Sequence, residues 1–405
     1  MIRHRSMARA LFVLPFLGAS VPPASAQPKV RVLSEQELVD MMQGSSIQAT
    51  RGSDTAAMVR RVKELLAQGH QFTMIAVEDV PDDWTIASGG GIGGGGAWEY
   101  VSERTAKQQL PTIPSAQTAA FQALSAHIGK KFDAVVRSEA AGATLTALAM
   151  AAELGVPIVD ACKAGRARPE GSQSIQWIND IPTTPVAYAS RWGDIVLLDK
   201  VVDGYRQEDL GRALAVASGG LVSAATAMAA KDLERGVISG SVSEAILFGR
   251  TVREAREQGR DPIPALIKAA KGYRLFQGIV TASEDRGEGG FSWSNVEIRG
   301  TNEFTGHTYK VYVKNENIVS WLDGVPDAMS PDSIANLDPK TGDTINPPTL
   351  GSYVVGQEVV LVGWPNAPRQ WRTPKGIEAF GPRHFGFDFD YVPIEELQKA
   401  RTLGR

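Results

Sequence analysis

The sequence predicts an α/β fold. A largely parallel sheet with helices forms the N-terminal part, a helical segment follows, and a β-rich C-terminal domain comes last. Three observations predict it: short apolar strands alternate with helices over 28–200, helical periodicity dominates 207–271, and short apolar or alternating stretches begin at Phe276. A β-α-β alternation favours parallel strands covered by helices. We therefore expect an α/β domain with a helical extension at 28–275 and a β-rich domain at 276–395.

The N-terminal elements follow from capping residues and periodicity. Ser34 and Glu37 form a capping box that opens a helix running through Met42. A second helix is expected at 56–68, where Met58 and Val62 share an apolar face with the leucines that follow. In chain order we then predict a strand at 72–77, a helix at 117–128, a strand at 132–136, a helix at 143–153 and a strand at 156–159.

The rest of the chain has a helical pattern first and a strand pattern after it. Helices are predicted at 208–217, 222–235, 241–258 and 263–271, because glycine and serine residues between these stretches suit caps and turns. Beyond Phe276, strands are expected near 296–298, 309–313 and 354–362.

The N-terminus has the three parts of a secretory signal peptide. Basic residues come first, an apolar run covers 10–19, and Ala24 and Ala26 form a small-x-small cleavage site before Gln27. The apolar run is shorter than a bilayer span. We expect residues 1–26 to be removed and the protein to be secreted, an uncleaved anchor being the alternative. A periplasmic location fits the single cysteine, Cys162, which excludes an intramolecular disulfide.

Composition limits the partners. The chain is 43% hydrophobic and 21% charged, as expected of a globular protein with a real core, and its net charge is −3. There is no basic stripe, which argues against nucleic acid or an anionic membrane surface. A small-molecule substrate is the expected partner, and homo-oligomer formation stays open.

Charged residues follow two neighbouring predicted strands. Ligands in parallel sheets bind beyond the carboxyl ends of the strands, so we expect Glu139 and Asp160 to share a crevice. Asp160 or Glu170 could act as a base or hold a metal ion. A carboxylate beside a strand end can equally be a helix cap.

The segment after the second of these strands adds two further candidates. Arg166 could bind a substrate carboxylate through two hydrogen bonds, the alternative being an internal ion pair with Glu170 or Asp160. Cys162 lies close to Lys163 and Arg166, which would favour a reactive thiolate, and the alternative is a small packing residue.

A glycine-rich run is the remaining motif of note. Residues 88–97 read SGGGIGGGGA, which matches neither the dinucleotide-binding fingerprint nor a P-loop. We expect either a loop over the site or a surface loop. The histidines have no zinc-site spacing, and no Gly-x-Ser-x-Gly nucleophile elbow is present.

Several separated motifs resemble one family. They are 155–160 (GVPIVD), 165–167 (GRA), 169–170 (PE), 315–316 (NE), 323–324 (DG), 331–332 (PD) and a set within 381–393. In this order they resemble the S-methyl thiohydantoin desulfurase-like proteins, long catalogued as a domain of unknown function. The likeness runs from about residue 33 to 393. It implies the same two-part architecture and removal of sulfur from a small thiohydantoin-type ring. It also implies substrate-binding roles for Glu103, Asn315 and Glu316 beside Arg166.

The chain departs from the family pattern at several positions. Cys162 stands where an Asp is common, His384 replaces a small residue, and the opening glycine-rich run is reduced to Gly52 and Asp54.

Two functions therefore stay open. The first is a hydrolase or desulfurase acting on a thiohydantoin- or hydantoin-like ring, with carboxylates as base or as ligands of a divalent metal ion. The second is a non-catalytic ligand-binding protein or an accessory subunit of a ring-opening hydrolase.

Overall fold

Residues 29–51, 53–94, 96–345 and 353–403 are described by the computed structural model. The predicted signal peptide and Gly52 lie outside the described residues. Within these ranges, no helix combines the length and the apolar character that a membrane crossing requires.

The first sheet contains nine of the described strands. Their order is β1-β2-β5-β4-β3-β8-β6-β7, and β9 pairs with β5. The strands are β1 (Val30–Val32), β2 (Thr73–Ile75), β3 (Thr85–Gly93), β4 (Ala134–Arg137), β5 (Ile158–Cys162), β6 (Val186–Ala189), β7 (Ile195–Leu198), β8 (Leu221–Ala229) and β9 (Ile238–Ser239). Strands β2, β5, β4 and β3 are mutually parallel, which confirms the predicted parallel core. At β3 the sheet changes from parallel to antiparallel pairing.

Helices cover this sheet and connect its strands. They are α1 (Glu35–Gln48), α2 (Thr55–Ala67), α3 (Glu99–Gln108), α4 (Ala116–Ile128), α5 (Gly142–Leu154), α6 (Ile175–Ile178), α7 (Gly204–Ala217), α8 (Leu233–Gly236), α9 (Ser241–Glu257) and α10 (Pro262–Ala270). The capping box of Ser34 and Glu37 is present at the start of α1. Met58 and Val62 of α2 are buried, as the apolar face predicts.

Two predictions in this part are wrong. The stretch 222–235 is not a helix: it contributes β8, a short 3-10 turn and the single turn of α8. Its buried residues Val222, Ala225 and Met228 recur every third position, which imitates a helix, but β3 and β6 pair with β8 on both sides. The glycine-rich run is likewise not a loop over its first half, because Ser88 to Gly93 belong to β3.

Helices α1 and α9 touch through glycines. A Cβ atom on Gly44 would lie 1.7 Å from the carbonyl oxygen of Ala245, and one on Gly249 would lie 1.9 Å from that of Asp40. No side chain fits between backbones at these distances, so the two glycines set how closely the helices pack.

Replacing Gly249 with alanine is expected to destabilise the protein by about 1–3 kcal/mol or more, because one helix must move away from the other. Calorimetric melting measures the loss. Gly142→Ala is the matched control, since a Cβ atom there meets no atom within 4 Å and its melting temperature should be unchanged or higher. Equal melting temperatures for both variants would contradict the close contact.

The second sheet is antiparallel and seven-stranded within the described ranges. Its order is β14-β13-β12-β11-β10-β16-β15. The strands are β10 (Tyr273–Glu288), β11 (Phe291–Gly300), β12 (Thr308–Lys314), β13 (Glu316–Leu322), β14 (Val325–Met329), β15 (Ser333–Leu337) and β16 (Glu358–Trp364), followed by helices α11 (Pro368–Trp371), α12 (Pro374–Phe380) and α13 (Ile394–Leu403). The predicted β-rich C-terminal part is therefore confirmed.

The two parts share a hydrophobic core. Ile47 of α1, Phe248 of α9 and Leu266 of α10 pack against Val362 and Trp364 of β16. These contacts join the helices of the first part to the second sheet, so the two parts of the protein meet in a packed hydrophobic interface.

Candidate functional site

A pocket opens on the face of the first sheet where β3, β8 and β6 lie side by side. The register aligns two rows across these strands, one of Ser88, Thr226 and Val186 and one of Gly90, Ala224 and Tyr188. Residues two apart on a strand share a face, so both rows form one wall. The small residues Gly90 and Ala224 leave room for a cavity of about 100 Å³. This volume is below the range of pockets for drug-sized ligands, so the pocket suits a small ring.

Glu139 enters the pocket from the end of a parallel strand. It lies two residues after β4, and its Oε2 accepts a hydrogen bond from the backbone N–H of Arg168 at 2.9 Å. Burial raises the pKa of Glu139 above its ordinary value, although the charges of Arg168 and Arg212 and the hydrogen bond oppose this. A carboxylate of raised pKa is a stronger base than an exposed one.

Lys163 enters the same pocket directly after β5. Its side chain is 4% exposed, and Nζ donates a hydrogen bond to Oγ1 of Thr226 at 2.9 Å. Within the described part of the chain, no carboxylate forms an ion pair with it. Burial, reinforced by the charge of Arg168, lowers the pKa of Lys163 to about 7. Both protonation states are therefore populated near neutral pH.

From the sequence, Lys163 has no role of its own beside Cys162, because the strand is predicted to end at 159. The strand runs to Cys162, which places Lys163 directly at its end. The hydrogen-bond acceptor of Lys163, Thr226, is 63 residues away along the chain, so a local pattern does not indicate this contact.

Glu170 also lines the pocket but is held by the side chains of Lys314 and His384. Its Oε1 accepts a hydrogen bond from Lys314, and its Oε2 lies 2.9 Å from Nε2 of His384. Burial raises the pKa of Glu170, but His384 and Lys314 outweigh burial and hold the pKa at about 2. The carboxylate is therefore ionised and engaged, and it links the loop after β5 to the C-terminal part.

Asp160 and Cys162 are not among the residues that line this pocket. Asp160 accepts hydrogen bonds from the backbone N–H groups of Val242 at 3.0 Å and Ser243 at 2.9 Å, so it caps α9. The thiol of Cys162 is fully buried and accepts a hydrogen bond from the N–H of Gly165 at 3.2 Å. The geometry therefore gives Asp160 and Cys162 structural roles. The expectation that Glu139 and Asp160 share a crevice is wrong, because Glu139 lines the pocket and Asp160 does not.

Arg166 is buried between the two parts of the protein and does not reach the pocket. Its acceptors are the carbonyl oxygens of Ala167 (3.1 Å), Asp332 (2.5 Å) and Asn317 (2.7 Å) and the hydroxyl of Thr50 (3.2 Å). These acceptors take up four of the five N–H groups of the guanidinium. The geometry therefore supports neither the expected substrate anchor nor the alternative ion pair with Glu170 or Asp160.

The three positions implied by the family resemblance are placed differently. Glu103 is exposed on α3 and does not line the pocket. Asn315 has a positive φ of 55° in the turn between β12 and β13, where its Oδ1 accepts the N–H of Ser292 at 2.8 Å. Glu316 is half-buried, and burial raises its pKa to about 8, with the charge of Glu139 adding to the effect. The charge of Glu139 therefore acts on Glu316, which does not line the pocket.

A divalent metal ion does not fit the donors present. Among the described residues, no group of three or more His, Cys, Asp or Glu side chains is arranged to hold a metal ion. Glu139 and Glu170 point to different partners, the first to a backbone N–H and the second to Lys314 and His384.

Comparisons with known proteins bear on the whole chain. Two family models match it: "S-Me-THD-like, N-terminal domain" at residues 36–200 and "S-Me-THD-like, C-terminal domain" at residues 202–394. A crystal structure of a protein from Chromobacterium violaceum is similar, with a TM-score of 0.71 and 21% identity over 90% of this chain and 100% of that chain. At that identity the likeness shows the fold alone. No curated protein matches the chain.

Proposed function

The chain belongs to the S-Me-THD-like family, and from this premise we propose that it is a hydrolase acting on a small thiohydantoin- or hydantoin-like ring. One observation carries the proposal: Glu139 and Lys163 face the same pocket from the carboxyl ends of β4 and β5. The wall beside them is built from Gly90 and Ala224, which leave space for a flat ring. Family membership suggests the thiohydantoin-related substrate class, and the pocket supplies a base and an acid for it.

The proposed reaction uses the two groups in turn. In an S-methyl thiohydantoin, water adds its oxygen to the sulfur-bearing carbon of the ring C=N bond. The electron pair of that bond moves to the ring nitrogen, and one proton of the water goes to the Glu139 carboxylate. The C–S bond then breaks, and sulfur leaves as a thiol with a proton from the Lys163 ammonium. The remaining hydroxyl becomes the ring carbonyl as its proton passes to the ring nitrogen, and the proton on Glu139 returns to Lys163. One water is consumed and one thiol is released, and in a hydantoin the broken bond would be C–N.

The protonation states suit this assignment. Burial raises the pKa of Glu139, which brings the base closer to neutral pH. The pKa of Lys163 is about 7, so its ammonium can transfer a proton near neutral pH, which an exposed lysine does poorly.

Ser88 completes the proposed ring contacts. Its hydroxyl is 1% exposed, lines the pocket and has no hydrogen-bond partner among the described residues. Buried hydroxyls normally have a partner, so a ring N–H or oxygen would satisfy one that is otherwise left unpaired.

Glu139→Gln tests the proposal. The amide keeps an oxygen that accepts the Arg168 N–H but cannot take a proton from water, so we expect kcat to fall about 10²-fold or more. Thiol release from an S-methyl thiohydantoin is the measurement, with hydantoin ring opening as a second assay. The single cysteine of the chain is buried, so background in the thiol assay should be low.

The matched control is Glu99→Gln at the exposed start of α3, which should retain the wild-type kcat. Binding of these rings by the wild-type protein without any turnover would favour a non-catalytic binding protein or an accessory subunit. An unchanged kcat for Glu139→Gln would contradict the role of this base.

A further inference from the structure

The first sheet ends at β7, and the side chains of this edge strand are open to solvent. Ile195, Val196 and Leu197 are exposed by 42%, 39% and 41%. Successive residues of a strand point to opposite faces of the sheet, so apolar side chains are exposed on both faces of β7. Single apolar residues are common on protein surfaces, but three in a row on one strand indicate a surface that another molecule covers.

The backbone of β7 is paired on one side. Strand β6 bonds to it there, from Ala189 opposite Ile195 to Val186 opposite Leu198. Across the residues that the structure describes, no strand and no backbone hydrogen bond reaches the other side. Unpaired N–H and C=O groups in a row are a template for one more strand. Proline and charged residues usually prevent such pairing, and β7 contains neither.

The other ends of the two sheets are protected. Strand β1 has three residues, and Arg31 at its centre is paired with Glu37 at 2.7 Å. In the second sheet, β14 contains Pro326, and β15 is buried along its whole length. Among the described sheet ends, β7 is therefore the one that can accept a further strand.

Charged residues of opposite sign flank the apolar strand. Asp194 precedes it and Lys200 follows it, and both are exposed. Within the described part of the chain neither forms an ion pair, and the carboxylate of Asp194 accepts a hydrogen bond from the hydroxyl of Ser190 at 2.6 Å. Both charges are therefore available to a partner at this edge.

The spacing of these charges fits a copy of the same strand. In an antiparallel pair centred on Leu197, residues at equal distances before and after the centre face each other. Asp194 of each chain then lies opposite Lys200 of the other, because each is three residues from Leu197. Opposite charges across two strands stabilise their pairing, and a shift by one residue would lose both pairs.

We propose that β7 pairs antiparallel with β7 of a second copy of the chain, which joins two first sheets into one continuous sheet about a two-fold axis at Leu197. A second copy fits this edge because the strand is complementary to itself, with an apolar centre and opposite charges on either side of the axis. The pairing supplies partners for the outer backbone groups and covers the exposed side chains. The dimer is independent of the ring chemistry proposed above.

Sedimentation velocity at several protein concentrations tests the dimer. Leu197→Glu places two carboxylates at the two-fold axis, so we expect the wild type to be dimeric and this variant to associate at least about tenfold more weakly. Leu247→Glu is the matched control, because Leu247 is 46% exposed on α9, away from the edge strand, and this variant should dimerise like the wild type. Circular dichroism checks that each variant is folded.

The flanking charges test the register. Asp194→Lys places lysines opposite each other in its own dimer, and Lys200→Asp does the same with aspartates. Since two attractive pairs become repulsive, each variant alone should associate about tenfold more weakly than the wild type. An equimolar mixture of the two variants restores both opposite-charge pairs, and we expect it to form a heterodimer about as tightly as the wild type dimerises.

Three results would contradict the proposal. Wild-type protein that is monomeric at about 100 μM overturns the dimer, because a dimer of micromolar Kd would be formed at that concentration, and it leaves β7 to a different partner. A wild-type dimer that persists in Leu197→Glu lies at another surface. Weak association in the mixture of the two charge variants excludes the antiparallel pairing about Leu197.

Discussion

Lys163→Met is expected to lower kcat by about 10²- to 10⁴-fold, the range that a positioned proton donor contributes. The thioether cannot donate a proton to the leaving sulfur, and methionine matches the length and apolar stem of lysine. The folded protein should be at least as stable as the wild type, because the change removes a buried ammonium whose partner is a single threonine hydroxyl.

Rates of thiol release and melting temperatures on the same preparation check this prediction. Lys231→Met, at an exposed position, is the matched control and should leave both quantities unchanged. A kcat close to the wild-type value would exclude Lys163 as the acid. A large fall in melting temperature would instead indicate a mainly structural lysine.

The pH dependence follows from the same residue. As an acid, Lys163 must be protonated, so activity should fall as pH rises through about 7, the pKa in the folded protein. Glu139 must be ionised, and because burial raises its pKa, activity should also fall on the acid side at a pH above the ordinary range of a glutamate.

Stability gives a second pH readout. Between about pH 7 and the ordinary lysine value of 10.5, the unfolded chain binds the Lys163 proton and the folded chain does not, so stability should rise with pH in that window. Lys163→Met should remove this contribution to the rise.

Arg166→Met is expected to destabilise the protein by about 3 kcal/mol or more while leaving ring affinity unchanged. The substitution leaves the carbonyl oxygens of Asp332 and Asn317 buried and unpaired, and each such group costs about 1–3 kcal/mol. Arg166 joins the loop after β5, the end of α1 at Thr50 and the second sheet, so the loss loosens the contact between the two parts.

Calorimetric melting and hydantoin binding are measured on the same variant. Arg168→Met serves as the comparison, because among the described residues its guanidinium makes one hydrogen bond, to Gly171. We expect a clear fall in melting temperature for Arg166→Met with unchanged affinity for the ring, and a much smaller fall in melting temperature for Arg168→Met. A normal melting temperature together with lost affinity in Arg166→Met would restore the substrate-anchor role that the sequence suggested.

Local chemistry was sufficient to predict several elements. The capping box at Ser34, the apolar face of α2 and the strand end before Glu139 are short-range features, and they appear in the structure close to their predicted bounds. The next strand, predicted at 156–159, runs instead to Cys162. Strand β8 could not be predicted in this way. Its small residues at 221–229 are compatible with a helix. Pairing with β3 and β6, which are distant in sequence, makes this segment a strand.

Taken alone, the sequence determined the family, the order of an α/β part before a β-rich part, and the strand end that carries Glu139. The tertiary structure decided which charged residues are free to act. Asp160 caps the N-terminus of α9 because that helix begins beside it. Arg166 holds the two parts of the protein together because it donates hydrogen bonds to carbonyl groups of the second part. Lys163 and Arg168 were left in the pocket without ion-pair partners among the described residues. Burial and counterions depend on residues far apart in the chain, and a local pattern does not contain that information.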